Sequence, residues 1–199
     1  DGCGAEIAVS DGREARETAR FPGPYFRCVA ALARDGRRAL FWADTVAYAW
    51  DLEHGRQMWS RPLDVCQAVL SPDGAFALVT RIGGPPIVLD MTTGEQRFAL
   101  TAAGDTISWA VAWSAAGDRL AVGSDGADVW LFDIDDPAAK QPRVRATRLQ
   151  TDHRPQVASV AYSGDGMVLA TGGAEGSVKV FELGPPEPFA PRPKTSRHA

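Results

Sequence analysis

An all-β chain, built as an array of short antiparallel sheets, is what three features of this 199-residue sequence predict. Short apolar runs alternate with turn signals along most of the length, a unit of three such runs recurs, and the 20 glycines and 14 prolines suit a chain with many turns. The unit is clearest at residues 156–183, QVASVAYSGDGMVLATGGAEGSVKVFEL. Its first run ends at Ser163-Gly164-Asp165-Gly166, where the Asp-Gly pair tolerates the positive φ of a tight hairpin, and a second glycine cluster separates the second run from the third.

Alignment on the turn glycine gives the register. Gly36, Gly74, Gly117 and Gly166 are separated by 38, 43 and 49 residues, and an acid closes the third run at Asp51, Asp90, Asp133 and Glu182, 15, 16, 16 and 16 positions later. The strand-bearing half of the unit is therefore nearly fixed in length, and the connection to the next unit varies. Blades of a β-propeller repeat at about 40–45 residues, so the sequence predicts one propeller array.

In chain order, residues 5–20 read as the third and fourth strands of a partial blade. Complete units follow at 26–60, 63–100, 106–150 and 156–183, the last with three strand runs rather than four. Within the first run of each unit, bulky and small positions alternate: Trp109, Val111 and Trp113 against Ala110, Ala112 and Ser114, with the same phase at Cys66, Ala68 and Leu70. That is the pattern expected of a strand packed between two neighbouring sheets at different distances from the axis. Residues 184–199 hold five prolines and little apolar alternation, and are expected to be a solvated, disordered tail. The propeller portion is thus residues 1–183.

A formal charge of -4 gives no reason to expect nucleic acid as a partner. Local basicity at Lys140, Arg143, Arg145, Arg148 and Arg154 reads as a solvated outer strand whose charges blunt its edge. No apolar stretch approaches the ~20 residues of a membrane span. Three cysteines are too few for a disulfide framework. Cys28 and Cys66, each eight residues before a turn glycine, read as buried space-filling thiols. His54, His153 and His198 have no zinc-site spacing, and Asp133, Asp135 and Asp136 lack the glycine and distal glutamate of a calcium loop. With no nucleophile elbow and no phosphate loop, the expectation is no catalytic residue, no metal and no cofactor.

The residues resemble the WD-repeat β-propeller family at SPDG (Ser71 to Gly74), SGDG (Ser163 to Gly166), ATGG (Ala170 to Gly173), and the third-strand endings Trp50-Asp51, Leu89-Asp90, Phe132-Asp133 and Phe181-Glu182. The resemblance implies structural roles for Gly36, Trp50, Asp51, Gly74, Asp90, Gly117, Asp133, Gly166, Thr171 and Phe181. It also implies that the array is the C-terminal part of a seven-bladed propeller, with further blades ahead of Asp1. The family's buried Trp, Ser or Thr, His and Asp network looks incomplete in every unit: His153 is the sole candidate histidine, Thr171 the hydroxyl, and Asp44 and Asp125 occupy turn-aspartate positions. Residues 47–59, AYAWDLEHGRQMW, are instead similar to the Trp-docking repeat of quinoprotein-type propellers. That similarity implies the alternative of an enzyme or an outer-membrane assembly factor.

The function implied by the WD resemblance is a noncatalytic scaffold, with Arg34, Arg37, Asp44, Arg81, Trp109 and Asp125 as contact residues on its loops. The partner is expected to be a protein or another domain of the same polypeptide. WD arrays are often appended to bacterial signalling domains such as protein kinases, and 18 arginines against 3 lysines suit a GC-rich bacterial genome; a cytoplasmic location is the accompanying expectation.

Overall fold

A computed structural model describes residues 4–10, 15–22, 29–43, 45–105 and 108–190, with side chains from residue 31 onward. Cys28 and Asp44 lie outside the described residues. Among those described, regular structure is all strand apart from one short 3-10 turn at Thr101–Ala103. Strands β1 (Gly4–Ser10) and β2 (Ala15–Pro22) pair antiparallel in a two-stranded sheet.

Three four-stranded meanders follow. The first contains β3 (Val29–Leu32), β4 (Arg38–Ala43), β5 (Val46–Asp51) and β6 (Arg56–Pro62), and the second β7 (Val65–Leu70), β8 (Phe76–Arg81), β9 (Ile87–Asp90) and β10 (Gln96–Ala99). The third contains β11 (Ala110–Trp113), β12 (Arg119–Gly123), β13 (Asp128–Ile134) and β14 (Val144–Gln150). The last sheet has three strands, β15 (Val157–Tyr162), β16 (Val168–Gly173) and β17 (Val178–Glu182). Strand β2 is hydrogen-bonded to β1 and is not in the sheet of β17, so it does not supply that sheet's fourth strand. First strands of successive sheets lie side by side, β3 by β7, β7 by β11 and β11 by β15. The sheets therefore stack face to face like blades sharing an inner edge.

Hairpins between first and second strands are set by local chemistry. Gly36, Gly74, Gly117 and Gly166 have φ of 70°, 66°, 79° and 72°, the left-handed region that glycine enters without a Cβ clash. In the second sheet Ser71 Oγ donates to Asp73 Oδ1 at 2.6 Å and accepts from the backbone N–H of Phe76 at 2.9 Å, while Asp73 Oδ1 accepts from the N–H of Ala75 at 3.0 Å. Ser163, Asp165, Met167 and Val168 repeat this arrangement. The serine and aspartate thus satisfy backbone donors that the turn would otherwise leave to water. At the turn between third and fourth strands, Asp51 accepts from the N–H of His54 at 3.1 Å and Asp90 from those of Thr92 and Thr93 at 2.8 and 3.1 Å.

Alternation in the strands builds the core between sheets. Ala47 and Ala49 of the first sheet pack with Val65, Leu70, Ala77 and Val79 of the second. Leu78 and Val88 pack on the other face of that second sheet, against Trp113, Leu120 and Val122 of the third. The expected bulky and small faces hold: Val111 and Trp113 turn toward the second sheet, and Ala110 and Ala112 toward Val157 and Leu169 of the last. Each fully buried leucine or valine here contributes roughly 1.5–3 kcal/mol of transfer free energy. Two arginines at matching positions staple neighbours: Arg38 Nη1 donates to the Gly74 carbonyl and Arg119 Nη1 to the Gly166 carbonyl, both at 3.1 Å. Each arginine lies two residues after its own turn glycine and reaches the next one. Arg119 is also paired with Asp133 at 3.1 Å, the role the third sheet gives its terminal acid.

Two expectations are revised at this level. Cys66 is half-buried, not a fully buried space filler, and falls where the register of β7 on β8 shifts between Val65 and Gln67. Residues 184–190 form no regular structure and are mostly exposed, as expected of a solvated segment, but Glu187 and Phe189 are in contact with Arg145 of β14. The remainder of the expected tail, residues 191–199, is outside the described residues.

Candidate functional site

Because each strand reverses direction, the turns between strands one and two and between three and four sit at one end of every sheet. Turns between two and three sit at the opposite end, with the connections into the next sheet. This separates the expected contact residues. Arg34 and Arg37 belong with Gly36 at the first end, where both are exposed and Arg37 Nε lies 3.7 Å from the exposed Glu53 carboxylate. Such a pair contributes little in water. Arg81, Trp109 and Asp125 share the second end.

Trp109 is the most distinctive of these. It precedes β11, is 43% exposed, and donates from Nε1 to Asp125 Oδ1 at 3.1 Å. The residue before it, Ser108, is buried, and its carbonyl accepts from Thr80 Oγ1 of the second sheet at 2.8 Å. Backbone and indole are therefore both tied down while a large apolar surface faces solvent. Asp125, read as a counterpart of the family's buried turn aspartate, is exposed and serves the indole instead. Close by, burial pushes the Cys66 thiol up, with the carboxylates of Asp64 and Asp125 adding to the effect, so the sulfur stays protonated and is a poor nucleophile.

Arg81 is folded back on its own turn. Its Nε donates to the Pro85 carbonyl at 3.3 Å, and a Cβ at Gly84 would meet the guanidinium at 3.0 Å. Next to it Ile82 is 58% exposed. The second end thus presents two large apolar side chains, Trp109 and Ile82, among Arg81, Asp64 and Asp125.

A polar network in the last sheet departs from the sequence reading. His153 is completely buried, its Nε2 lies 2.8 Å from Thr171 Oγ1, and its Nδ1 lies 2.6 Å from Glu175 Oε1 and 3.2 Å from Ser177 Oγ. Glu175 also accepts from the Ser177 hydroxyl and from the N–H of Arg154. The Ser177 hydroxyl bond, the His153 bond and the backbone donors hold the Glu175 carboxyl well down, to about 2. The network is therefore built in this unit, with a glutamate one carbon longer in place of the expected aspartate. Lys179 Nζ donates to the Thr151 carbonyl beside it. Every polar atom in this cluster has a partner within the fold, so the cluster holds the inter-sheet connection in place. Its signal was the spacing from His153 through Thr171 to Glu175, which a search for aspartate alone passes over.

Among the described residues no group of three or more His, Cys, Asp or Glu is placed to hold a metal ion, and no helix is long and apolar enough to cross a membrane. The sequence reading also missed the engagement of Arg143 and Arg145. It assigned them to a solvated edge, and the structure places them against residues 187–190.

Comparisons with known proteins agree with this architecture. Residues 146–182 match the family described as WD domain, G-beta repeat. A WD repeat-containing protein, SL1-17, of Schistosoma mansoni is 24% identical over 143 residues, covering 70% of this chain and 44% of its own length. The chain therefore spans less than half of that curated relative. Among solved structures, the computationally designed Ika4 protein superposes with a TM-score of 0.66 at 18% identity, covering 85% of this chain and 99% of that one. The β-propeller domain of Cps50 (Swd1) from Myceliophteria thermophila superposes with a TM-score of 0.62 at 16% identity, covering 83% of this chain and 55% of that one.

Proposed function

Proceeding from a chain of WD repeats folded as propeller blades, we propose a noncatalytic protein-interaction scaffold whose contact surface is the end carrying Trp109. Scaffolding is typical of WD-repeat propellers, but a fold does not by itself assign a function. The observation that supports this reading is an exposed tryptophan pre-set by its bond to Asp125. Interface energy concentrates in tryptophan, tyrosine and arginine anchors, and an anchor already ordered loses less entropy on binding. Ile82 and Arg81 supply the neighbouring apolar and basic contacts. Arg34 and Arg37, at the opposite end, are assigned to a second and weaker surface.

The finer reading is a cytoplasmic domain of a larger bacterial signalling protein, with a protein or a domain of the same polypeptide as partner; the arginine-over-lysine composition supports its bacterial part alone. In that setting the four sheets form part of a larger propeller. The test is site-specific photocrosslinking in the full-length protein, with the crosslinker at Ile82 and, as a control, at Arg56 on an outer strand. The expected result is a discrete adduct from position 82 that Trp109→Ala removes. Adducts of equal yield from both positions, or one indifferent to Trp109→Ala, would refute the reading.

The quinoprotein-type alternative has one observation in its favour. Trp59 of β6 lies on the next sheet, where a Cβ at Gly94 would meet its ring at 2.8 Å, and its Nε1 donates to the Met91 carbonyl at 2.9 Å. At the following junction β10 offers Phe98, packed among Val88 and Trp113. A single docked tryptophan gives this alternative less support than the repeat register gives the scaffold.

A further inference from the structure

At the start of the outer strand β14, on the rim of the array and away from Trp109, two arginines are in contact with residues 187–190. Arg143, the residue just before β14, and Arg145, on it, are two apart and so lie on one face. Phe189 rests between them, its ring centroid 5.1 Å from the Arg143 guanidinium carbon and 4.9 Å from that of Arg145. Arg143 is fixed by two hydrogen bonds to Asp135, at 2.6 and 3.0 Å, while Arg145 lies 3.9 Å from the Asp133 carboxylate, a longer ion pair. The segment on them is read in three ways. The Glu187 carboxylate sits 3.3 Å from Arg145 Nη1, the Glu187 carbonyl accepts from the same nitrogen at 3.1 Å, and the Ala190 carbonyl accepts from Arg143 Nη1. Upstream, Arg119 Nη2 anchors the Gly184 carbonyl at 2.6 Å as the chain leaves β17.

We infer that the Arg143–Arg145 face is a docking site for an extended peptide of a partner protein in which an acidic residue stands two before an aromatic one, bracketed by prolines. The chain's own 184–190 segment, Gly-Pro-Pro-Glu-Pro-Phe-Ala, fills it in cis. The chemistry follows from the occupant. Arginine attracts an aromatic face by cation–π interaction and a carboxylate by charge-assisted hydrogen bonding. Prolines hold the peptide extended and carry no N–H in need of an acceptor, which a face of guanidinium donors cannot supply. No backbone ladder joins the segment to β14, so its hold rests on these few side-chain contacts, and a competitor need not unfold a sheet to displace it. The tether gives the internal segment an effective concentration in the millimolar range, so a partner must either carry several copies of the motif or bind elsewhere on the array as well.

The test uses the full chain and a fluorescein-labelled peptide of residues 184–191, followed by anisotropy. Phe189→Ala, which weakens the internal occupant, is expected to bind the peptide at least tenfold more tightly than the intact chain. Adding Arg143→Gln and Arg145→Gln is expected to remove that binding, and a Glu187→Gln peptide to bind more weakly. Equal binding to the intact and Phe189→Ala chains, or binding indifferent to the two arginines, overturns the assignment. In parallel, chymotrypsin cleavage after Phe189 should quicken several-fold in the Arg143→Gln, Arg145→Gln chain, and an unchanged rate overturns the internal docking itself. A Phe189-dependent dimer of the intact chain in sedimentation would overturn the partner peptide in favour of a second copy's tail.

Discussion

The third and last sheets carry the same pattern on the face that looks toward the following sheet, and they differ in what covers it. In the third sheet that face holds Ala110, Ala112, Ala121 and Val129, all buried against Val157 and Leu169 of the last. At matching distances from the turn glycine the last sheet holds Ser159, Ala161, Ala170 and Val178, and there Val178 is 71% and Val180 65% exposed. Gly123 illustrates the fit in the covered case, since a Cβ there would meet Val157 at 2.8 Å. The apolar alternation is thus a property of the repeat, while burial is a property of the neighbour. A strand pattern specifies a face able to pack without showing that it is packed.

The largest effect should come from placing a charge on the two faces. Val129→Asp buries a carboxylate in a filled inter-sheet space and is expected to cost about 3–5 kcal/mol, enough to unfold much of the array. Val178→Asp, at the matching exposed position, should stay within roughly 0.5 kcal/mol in this chain. Urea denaturation of both variants measures the contrast. A large loss for Val178→Asp in the isolated chain would mean that its face is covered after all, whereas a loss confined to the full-length protein would identify a further blade as the cover.

Much of this comparison was legible in the sequence, and the reason is the period. Turn glycines at 36, 74, 117 and 166 fixed register, and register fixed which residues share a face. Contacts that depend on reach across sheets were less legible. Arg38 and Arg119 meet the next turn's carbonyl from positions that look like solvated turn residues, and Glu175 completes a network from a position where a shorter acid was sought. The docking of Phe189 between Arg143 and Arg145 was hidden for a similar reason: a proline-rich segment has no strand signal, and its partners lie over 40 residues away. Of the candidate site, the loop positions of Trp109 and Asp125 were legible. Their mutual hydrogen bond, and the separation of Arg34 and Arg37 to the opposite end, needed the strand order.

The second contrast is chemical. Five residues after the turn glycine the third sheet has Val122 and the last has Thr171, both buried. Thr171→Val would leave the fully buried His153 without its Nε2 partner and should cost roughly 1–3 kcal/mol. Val122→Thr would bury a hydroxyl in the cluster of Leu78, Trp113 and Phe132 and should cost a similar amount. Chemical denaturation of the two single variants and their combination should show additivity, because the sites belong to different networks. A neutral Thr171→Val would show that the His153 network does not hold the last sheet.

A pH dependence belongs to the last sheet through Glu175. Its carboxyl is held at about 2, below the ordinary value of 4.5, by the Ser177 hydroxyl, His153 and backbone donors. A carboxylate with a lowered folded-state pKa stabilises the fold fully above its unfolded value, and that contribution fades as the pH falls from about 4.5 toward 2. The difference in Tm between the parent and Glu175→Gln should therefore shrink as the pH falls from 4.5 to 2. A difference that does not change with pH would mean that Glu175 acts by packing rather than by charge.

The smallest expected effect is one in which the two sheets should agree. Gly117 and Gly166 both adopt positive φ, 79° and 72°, and at each the nearest neighbour to an added Cβ is 3.8 Å away. Space is therefore adequate at both turns, and the cost of alanine is the left-handed backbone conformation alone, about 1 kcal/mol at each site. Equal shifts of the urea midpoint would show that the last sheet's hairpin is as firmly formed as the third's although one of its faces is bare, placing the whole difference between the sheets in that face. A markedly smaller shift for Gly166→Ala would show instead that the last sheet frays before the array unfolds, and that a covering neighbour contributes to forming the sheet as well as to burying it.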